Sequence, residues 1–109
     1  KLSANSASES QLKFMLQQQP DATHLNFALG NFYARQAKWP EAQSEYFKAW
    51  QGNSKNADYV YNLAVSLDQI GKPEEALRFY KDCLTLAINQ NISFSKEIVE
   101  KRIQRISSK

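Results

Sequence analysis

Residue types that build reactive sites are scarce in this chain. Among its 109 residues there are one cysteine, Cys83, one histidine, His24, and only three glycines. A single cysteine cannot close an intrachain disulfide, and a single histidine lacks a second imidazole at metal-binding spacing. The few glycines form no phosphate-cradling loop. We therefore predict a chain that is not an enzyme and needs no metal or cofactor.

Long hydrophobic runs are also absent. A membrane-spanning helix needs about 18 or more consecutive apolar residues, and no stretch approaches that length. The beginning of the sequence, at Lys1, has no signal-peptide pattern. The length suits one modest hydrophobic core, so we expect a soluble segment with a single domain. The sequence leaves the redox compartment and the cellular location undetermined.

The net charge of +3 is concentrated at the end of the chain. Residues 91–109 contain five basic and two acidic residues, whereas residues 57–90 contain three basic and five acidic ones. Phosphate groups could bind the basic side chains of this end, which are Lys101, Arg102, Arg105 and Lys109. A terminal helix also needs a charged outer face simply to be solvated, so the charge does not by itself indicate nucleic acid.

A period of 34 residues organises the centre of the sequence. The pattern Leu29-Gly30-x-x-Tyr33 followed by Ala42-x-x-x-Tyr46 returns as Leu63-Ala64-x-x-Leu67 followed by Ala76-x-x-x-Tyr80. Other positions fall in step without an insertion. Cys83 aligns with Ala49, which favours a small buried side chain over a reactive thiol. Ala37 likewise aligns with Gly71.

This pattern resembles the tetratricopeptide repeat family. In such repeats a helix-turn-helix unit cannot bury its apolar face alone and stacks on its neighbours. The resemblance implies an all-α fold, an α-solenoid of antiparallel helix pairs that forms a right-handed superhelix. The expected organisation is a linker end at 1–8, then one domain over 9–109 made of a partial repeat at 9–22, repeats at 23–56 and 57–90, and a closing helix at 91–109.

Six helices follow from the hydrophobic spacing and from the turn residues. We predict them near residues 9–19, 23–37, 40–52, 57–70, 73–88 and 94–106. Ser6 or Ser8 is placed to cap the first helix, and Pro40 and Pro73 suit first helical turns. Gly52-Asn53 and Gly71 are predicted at helix ends, as residues that tolerate left-handed backbone. Since the first helix matches the second half of a repeat, we expect a longer parent protein with further sequence upstream.

Tight helix crossings are predicted at small residues, among them Gly30 and Ala64, because larger side chains would force the backbones apart. The closing helix is expected to cover the apolar edge of the second repeat through Phe94, Ile98 and Ile103.

Function in this family is implied to lie on the concave face, which the first helix of each repeat lines. The family's groove positions correspond to twelve residues of this chain, and Arg102 is an optional addition. The twelve are His24, Phe27, Asn31, Arg35, Asp58, Tyr61, Asn62, Val65, Asp68, Gln69, Lys96 and Val99. Phe27 and Tyr61 would offer apolar contact, while Asn31 and Asn62 would bind the backbone of an extended peptide. Asparagine is also common at these positions for structural reasons alone.

Some chaperone-binding members of the family grip a C-terminal carboxylate with a clamp of three cations and two asparagines. Asn31 and Asn62 match two of its positions, and Lys96 is a conservative substitute at a third. Phe27 and Ile92 stand where the clamp needs lysines. With one cation of three, we do not expect carboxylate clamping to carry the function.

Within the family, residues 25–36 and 62–69 are similar to repeat segments of bacterial proteins for type IV or mannose-sensitive pilus biogenesis. That likeness implies a scaffold in a pilus or secretion machine, in a bacterial envelope protein whose membrane anchor would lie elsewhere. The predicted function is a non-catalytic protein-interaction module that binds a peptide segment or helix of a partner. The alternatives are a nucleic-acid-binding helical repeat and a module whose groove a second copy fills. Asp58 and Asp68 in the groove disfavour the nucleic-acid reading.

Overall fold

A computed structural model of the chain describes residues 7–108. Over that range the structure is all-helical, with six α-helices joined by short turns. Their bounds are α1 Glu9–Gln18, α2 Thr23–Arg35, α3 Trp39–Gly52, α4 Ala57–Gln69, α5 Pro73–Leu86 and α6 Lys96–Ser107, with a short 3₁₀ helix at Ala87–Asn89 after α5. The predicted number of helices is confirmed for the described residues, and α6 begins two residues later than expected.

Side-chain caps fix the beginnings of three helices. The Ser8 hydroxyl accepts a hydrogen bond from the Gln11 backbone N–H at 3.3 Å, and the Gln11 side chain accepts one from the Ser8 N–H at 2.8 Å. This reciprocal pair is a capping box, and it makes Ser8 rather than Ser6 the cap of α1. The Asn56 and Ser95 side chains cap α4 and α6 by accepting a hydrogen bond from the backbone N–H of Tyr59 and of Ile98, without the reciprocal bond.

Most of the predicted linker at 1–8 lies outside the described residues, as do Ser6 and the last basic residue, Lys109. Ala7 is described and differs from the expectation, because it is only 3% exposed and packs with the core. Whether residues 9–22 are the second half of a repeat stays a prediction.

The turns that end α2 and α4 repeat the same geometry 34 residues apart. The backbone is left-handed at Ala37, with φ of 57°, and at Gly71, with φ of 85°. In both turns the following N–H reaches back to a carbonyl five residues earlier, from Lys38 to Tyr33 and then one period later from Lys72 to Leu67. This bond satisfies a carbonyl that the helix end would otherwise leave free.

The prediction of left-handed backbone at Gly52 is wrong. Among the described residues Gly71 is the one glycine with positive φ, while Gly52 is the last residue of α3. Gly52 allows the end of α3 to lie close to the beginning of α2, since a Cβ at this position would collide with the Thr23 side chain. The helix end at Asn53 is not left-handed either, with φ of −154° and ψ of 83°.

The two left-handed positions, Ala37 and Gly71, should respond in opposite ways when alanine and glycine are exchanged there. A Cβ at Gly71 would meet no atom within 4 Å, so Gly71→Ala isolates the backbone cost of positive φ. We expect it to lower the free energy of unfolding by about 1 kcal/mol. Ala37→Gly should be neutral or stabilising, because the strain that it relieves offsets the added chain entropy. Urea titrations measure both, and equal losses in the two variants would contradict this explanation.

The core lies between paired helices. α2 packs on α3 and α4 on α5, while α3 joins the two pairs, α1 covers α2, and α6 packs on α5. All ten residues of the two 34-residue patterns are buried. The crossing predicted at Gly30 is confirmed, since a Cβ there would lie 2.6 Å from the ring of Tyr46. Ala64, at the equivalent position, is fully buried.

The end of the chain covers the core through some of the predicted residues and one that was not predicted. Val99 is 1% exposed, and Ile103 packs beside it against the core. Ile98 was predicted in this cover, but it is 62% exposed. Phe94 precedes the helix and packs against the core as predicted, where it also stacks on Tyr61 of α4. Val99 and Ile103 are four residues apart and share one face of α6, whereas Ile98 lies off that face and is left exposed.

Candidate functional site

Two neighbouring cavities lie along the first helices of the helix pairs, and we call the surface that contains them the groove. One cavity, of about 380 Å³, is lined by α2, α4 and the segment before α6. The other, of about 480 Å³, is lined by α4, α5 and α6. Tyr61 belongs to both linings and forms their common wall. The groove therefore offers two recesses that one ligand could span.

The structure brings nine of the twelve predicted site residues to these cavities. The smaller cavity, which we call the α2/α4 cavity, is lined by Phe27, Asn31, Asp58, Tyr61 and Asn62. The larger cavity, which we call the α4/α6 cavity, is lined by Tyr61, Val65, Asp68, Gln69 and Val99, and also by the optional Arg102. His24, Arg35 and Lys96 are exposed and line neither cavity.

The two predicted aromatic anchors, Phe27 and Tyr61, also pack against other aromatic rings of the protein. The Phe27 ring lies 5.7 Å from that of Tyr46 and 4.7 Å from that of Tyr59, measured between centroids. The Tyr61 ring stacks on Phe94 at 4.6 Å with an interplanar angle of 11°. Partial burial raises the pKa of the Tyr61 phenol, which therefore stays protonated at neutral pH. Each ring thus packs against other aromatic rings of the fold and also borders a cavity.

The two asparagines each use one half of the side-chain amide inside the fold. The Asn31 Oδ1 accepts a hydrogen bond from the Tyr46 hydroxyl at 2.6 Å. The Asn62 Nδ2 donates to the carbonyl of Asp58, one turn earlier in α4, at 2.9 Å. Over residues 7–108 the Asn31 Nδ2 and the Asn62 Oδ1 make no hydrogen bond, so one donor and one acceptor remain for a ligand.

An ion pair joins α4 to α6 at the far end of the groove. The Arg102 Nε and Nη2 atoms each donate to a carboxylate oxygen of Asp68 at 2.7 Å, and the Tyr80 hydroxyl donates to the same carboxylate at 2.9 Å. These bonds to Asp68 raise the pKa of Arg102, and burial together with the bond to Asp68 raises that of Tyr80. A bidentate pair of this kind fixes the position of α6 on α4. Asp68 and Arg102 thus hold the wall of the cavity.

The segment 90–95 crosses from α5 to α6 by way of α4. The Ser93 N–H donates to the Asp58 Oδ1 at 2.9 Å, and the Ala57 N–H donates to the Gln90 Oε1 at 2.9 Å. The Gln90 Nε2 also donates to the carbonyl of Lys55. The predicted groove residue Asp58 therefore holds this segment in place.

Four lining residues were missed by the sequence analysis, namely Tyr80, Ser93, Phe94 and Ile98. Phe94 and Ile98 were assigned to the core by their helical spacing. Phe94 does pack against the core and also lines a cavity, whereas Ile98 is exposed. Tyr80 entered the sequence analysis as part of the repeated pattern, and most of its side chain is buried in the core, at 4% exposure. Its hydroxyl donates a hydrogen bond to Asp68, which lines the same cavity. The 34-residue period does not indicate this contact.

A metal-binding arrangement is not found among residues 7–108. No three histidine, cysteine or acidic side chains converge there as a metal ion would require. Cys83 is fully buried, and burial, with smaller contributions from Asp82 and Asp58, raises the pKa of its thiol to about 12. At neutral pH such a thiol is protonated and a poor nucleophile. The helices of the described chain also lack the length and apolar character needed to cross a membrane.

Comparisons with known proteins agree with this architecture. Residues 60–92 match the family model described as tetratricopeptide repeat. A solved structure titled "MamA MSR-1 C2" superimposes with a TM-score of 0.74 at 24% identity, over 92% of this chain and 54% of that one. At this identity the likeness shows the fold, and the chain spans about half the length of that structure. No match was found among the curated proteins.

Proposed function

We propose that this chain, which carries a tetratricopeptide repeat at residues 60–92, binds a peptide segment or helix of a partner protein in its groove. Helical repeats of this kind are in general protein-interaction modules and not catalysts. The observation that carries the proposal is the pair of adjoining cavities on α2, α4 and α6, which share Tyr61. Recesses in line along one face suit successive side chains of an extended chain or a helix.

The chemistry of the linings supports a peptide ligand. Phe27, Tyr61 and Val65 present apolar surface at the cavities, while Asn31 and Asn62 each keep one amide atom for a peptide backbone. Exposed residues on α2 and α6 would contact the partner outside the cavities, and these are His24, Arg35 and Lys96. A carboxylate clamp is disfavoured, because Lys96 lies outside both cavities and Arg102 is paired with Asp68.

We further propose a scaffold role in a bacterial pilus or secretion assembly. Its support is the similarity of residues 25–36 and 62–69 to repeat segments of pilus-biogenesis proteins. A module of this kind would hold partner proteins together in an envelope complex, and a membrane anchor would be supplied outside the residues described.

One observation favours nucleic acid as an alternative ligand. Lys101 and Arg105 lie together on the outer face of α6, beside an open recess of about 440 Å³. A polyanion could bind there through charge alone, with an affinity that falls steeply as salt is added. Self-association is a second alternative, since the apolar side chains of Phe14 and Ile98 are more than half exposed.

The groove proposal predicts loss of peptide binding from a groove double variant. Peptides are first selected from a random library displayed on phage, then labelled and titrated by fluorescence anisotropy. Tyr61→Ala with Asn62→Ala should weaken binding roughly thirtyfold or more, because truncating an anchoring aromatic costs about 2 kcal/mol. Phe14→Ala is the matched control, since it removes an exposed aromatic ring of α1 that lines neither cavity.

Three results would count against the groove. Equal losses in the double variant and in Phe14→Ala would mean that the groove does not bind the peptides. Loss of binding in Arg105→Ala, with strong salt dependence and capture of labelled single-stranded RNA, would favour the nucleic-acid alternative. A concentration-dependent dimer that Ile98→Ser abolishes would favour self-association. Circular dichroism of each variant checks that the fold is retained.

A further inference from the structure

The segment before α6 departs from the repeat pattern of the chain. The earlier first helices begin at Thr23 and Ala57, a spacing that puts the next one at residue 91, yet α6 begins at Lys96. Residues 90–95 therefore form a connecting segment in place of a first helical turn. Its two ends are extended, with φ and ψ of −128° and 153° at Gln90 and −90° and 117° at Ser95.

This segment lies in the groove, where the proposed function places a partner peptide. Its Ser93 N–H donates a hydrogen bond to the Asp58 side chain at 2.9 Å. The next residue, Phe94, stacks in parallel on Tyr61 with the ring centroids 4.6 Å apart. Ser93 and Phe94 both line the α2/α4 cavity. The chain thus presents to its own groove a backbone donor followed by an aromatic ring.

We propose that Asp58 and Tyr61 form a subsite for an aromatic residue of an extended partner segment, and that Ser93 and Phe94 occupy this subsite until the partner displaces them. The inference rests on the proposed function and adds the chemical class of the partner to it. The carboxylate of Asp58 accepts the backbone N–H before the aromatic residue, and the Tyr61 ring stacks on the aromatic side chain.

Displacement is physically reasonable because the segment is short and Phe94 packs only at the edge of the core, without being fully buried. Phe94 is partly buried, and Ser93 is exposed. Short connections give an intramolecular group an effective concentration in the millimolar range, so weak ligands are excluded. A partner that also fills the cavities on either side of Tyr61 makes contacts that Phe94 does not make. Such a partner displaces the segment. The segment therefore restricts binding to partners that are long enough to fill both cavities and that carry an aromatic residue.

The test uses the chain's own segment as the probe. A capped, fluorescein-labelled peptide with the sequence of residues 88–96 is titrated into the wild-type protein and into Phe94→Ala. The variant should bind the peptide at least about tenfold more tightly, because its subsite is no longer occupied. A peptide with alanine in place of the phenylalanine should not bind. Combining Phe94→Ala with Tyr61→Ala should remove the gain.

Equal affinity of the wild type and Phe94→Ala for the peptide would overturn the inference. Should Phe94→Ala not fold, Phe94→Leu keeps an apolar side chain and removes the stack, and it must show the same gain. Failure of both variants to fold would also overturn it, because Phe94 would then be a fixed part of the core. The proposed function has a separate readout. It survives if the library peptides still bind the wild type through Tyr61 and Asn62, and it fails if neither protein selects any peptide.

Discussion

Deleting residues 92–109 should cause the remaining chain to aggregate or to lose helicity well beyond the residues removed. The deletion takes away Val99, which is 1% exposed, and Ile103, which packs beside it against the core. It also removes the Arg102 partner of Asp68, whose side chain is only 11% exposed. Repeat arrays need a terminal element with one polar face, because the last repeat otherwise exposes its apolar side. Light scattering after size exclusion and circular dichroism measure the result.

Two adjacent residues of α6 provide a matched control for this deletion. Val99→Ser should be strongly destabilising, since it places a hydroxyl in the core and removes buried apolar volume. Ile98→Ser should change the free energy of unfolding by less than about half a kcal/mol, because that side chain is 62% exposed. A truncated chain that stays monomeric with unchanged helicity per residue would show instead that α6 is an independent tail.

Ala64→Leu should lower the free energy of unfolding by about 1 to 3 kcal/mol. Ala64 is fully buried in α4, at the position that Gly30 holds one period earlier. At Gly30 even a single Cβ would lie 2.6 Å from the Tyr46 ring, which shows how closely the paired helices approach there. Added methyl groups in such a crossing force shifts of side chains and backbone. In a domain of this size each kcal/mol lowers the melting temperature by roughly 4 to 8 °C.

Lys55→Ala is the control for this core variant. Lys55 is exposed in the turn between α3 and α4, and only its backbone is used in hydrogen bonds within the described chain. Its replacement should stay within about half a kcal/mol of the wild type. Equal melting temperatures for Ala64→Leu and Lys55→Ala would mean that the repeat register is wrong. A monomeric Ala64→Leu protein with retained helicity and a lower melting temperature is the expected outcome.

The groove could be predicted from the sequence only in part. Nine of the twelve predicted residues do line its cavities, because α2 and α4 keep the 34-residue register from which the positions were taken. The prediction for α6 was poorer. Lys96 lies outside the cavities and Ile98 lies within one, since α6 begins five residues after the position that the period indicates. Segment 90–95 has no counterpart in the earlier repeats, and so the repeat pattern carried no information about it.

By itself the sequence determined the periodic part of the protein. Apolar and small residues 34 positions apart define the helices, their pairing and the buried set from Leu29 to Tyr80, because burial depends on which face of a helix a residue occupies. Tertiary structure alone decided which polar and aromatic side chains meet. The Asp68–Arg102 pair and the Tyr61–Phe94 stack join residues 34 and 33 positions apart, and their contact depends on how α6 is rotated on its neighbours. The Ser95 cap fixes where α6 begins, and Phe94 therefore lies in the connecting segment that lines the groove.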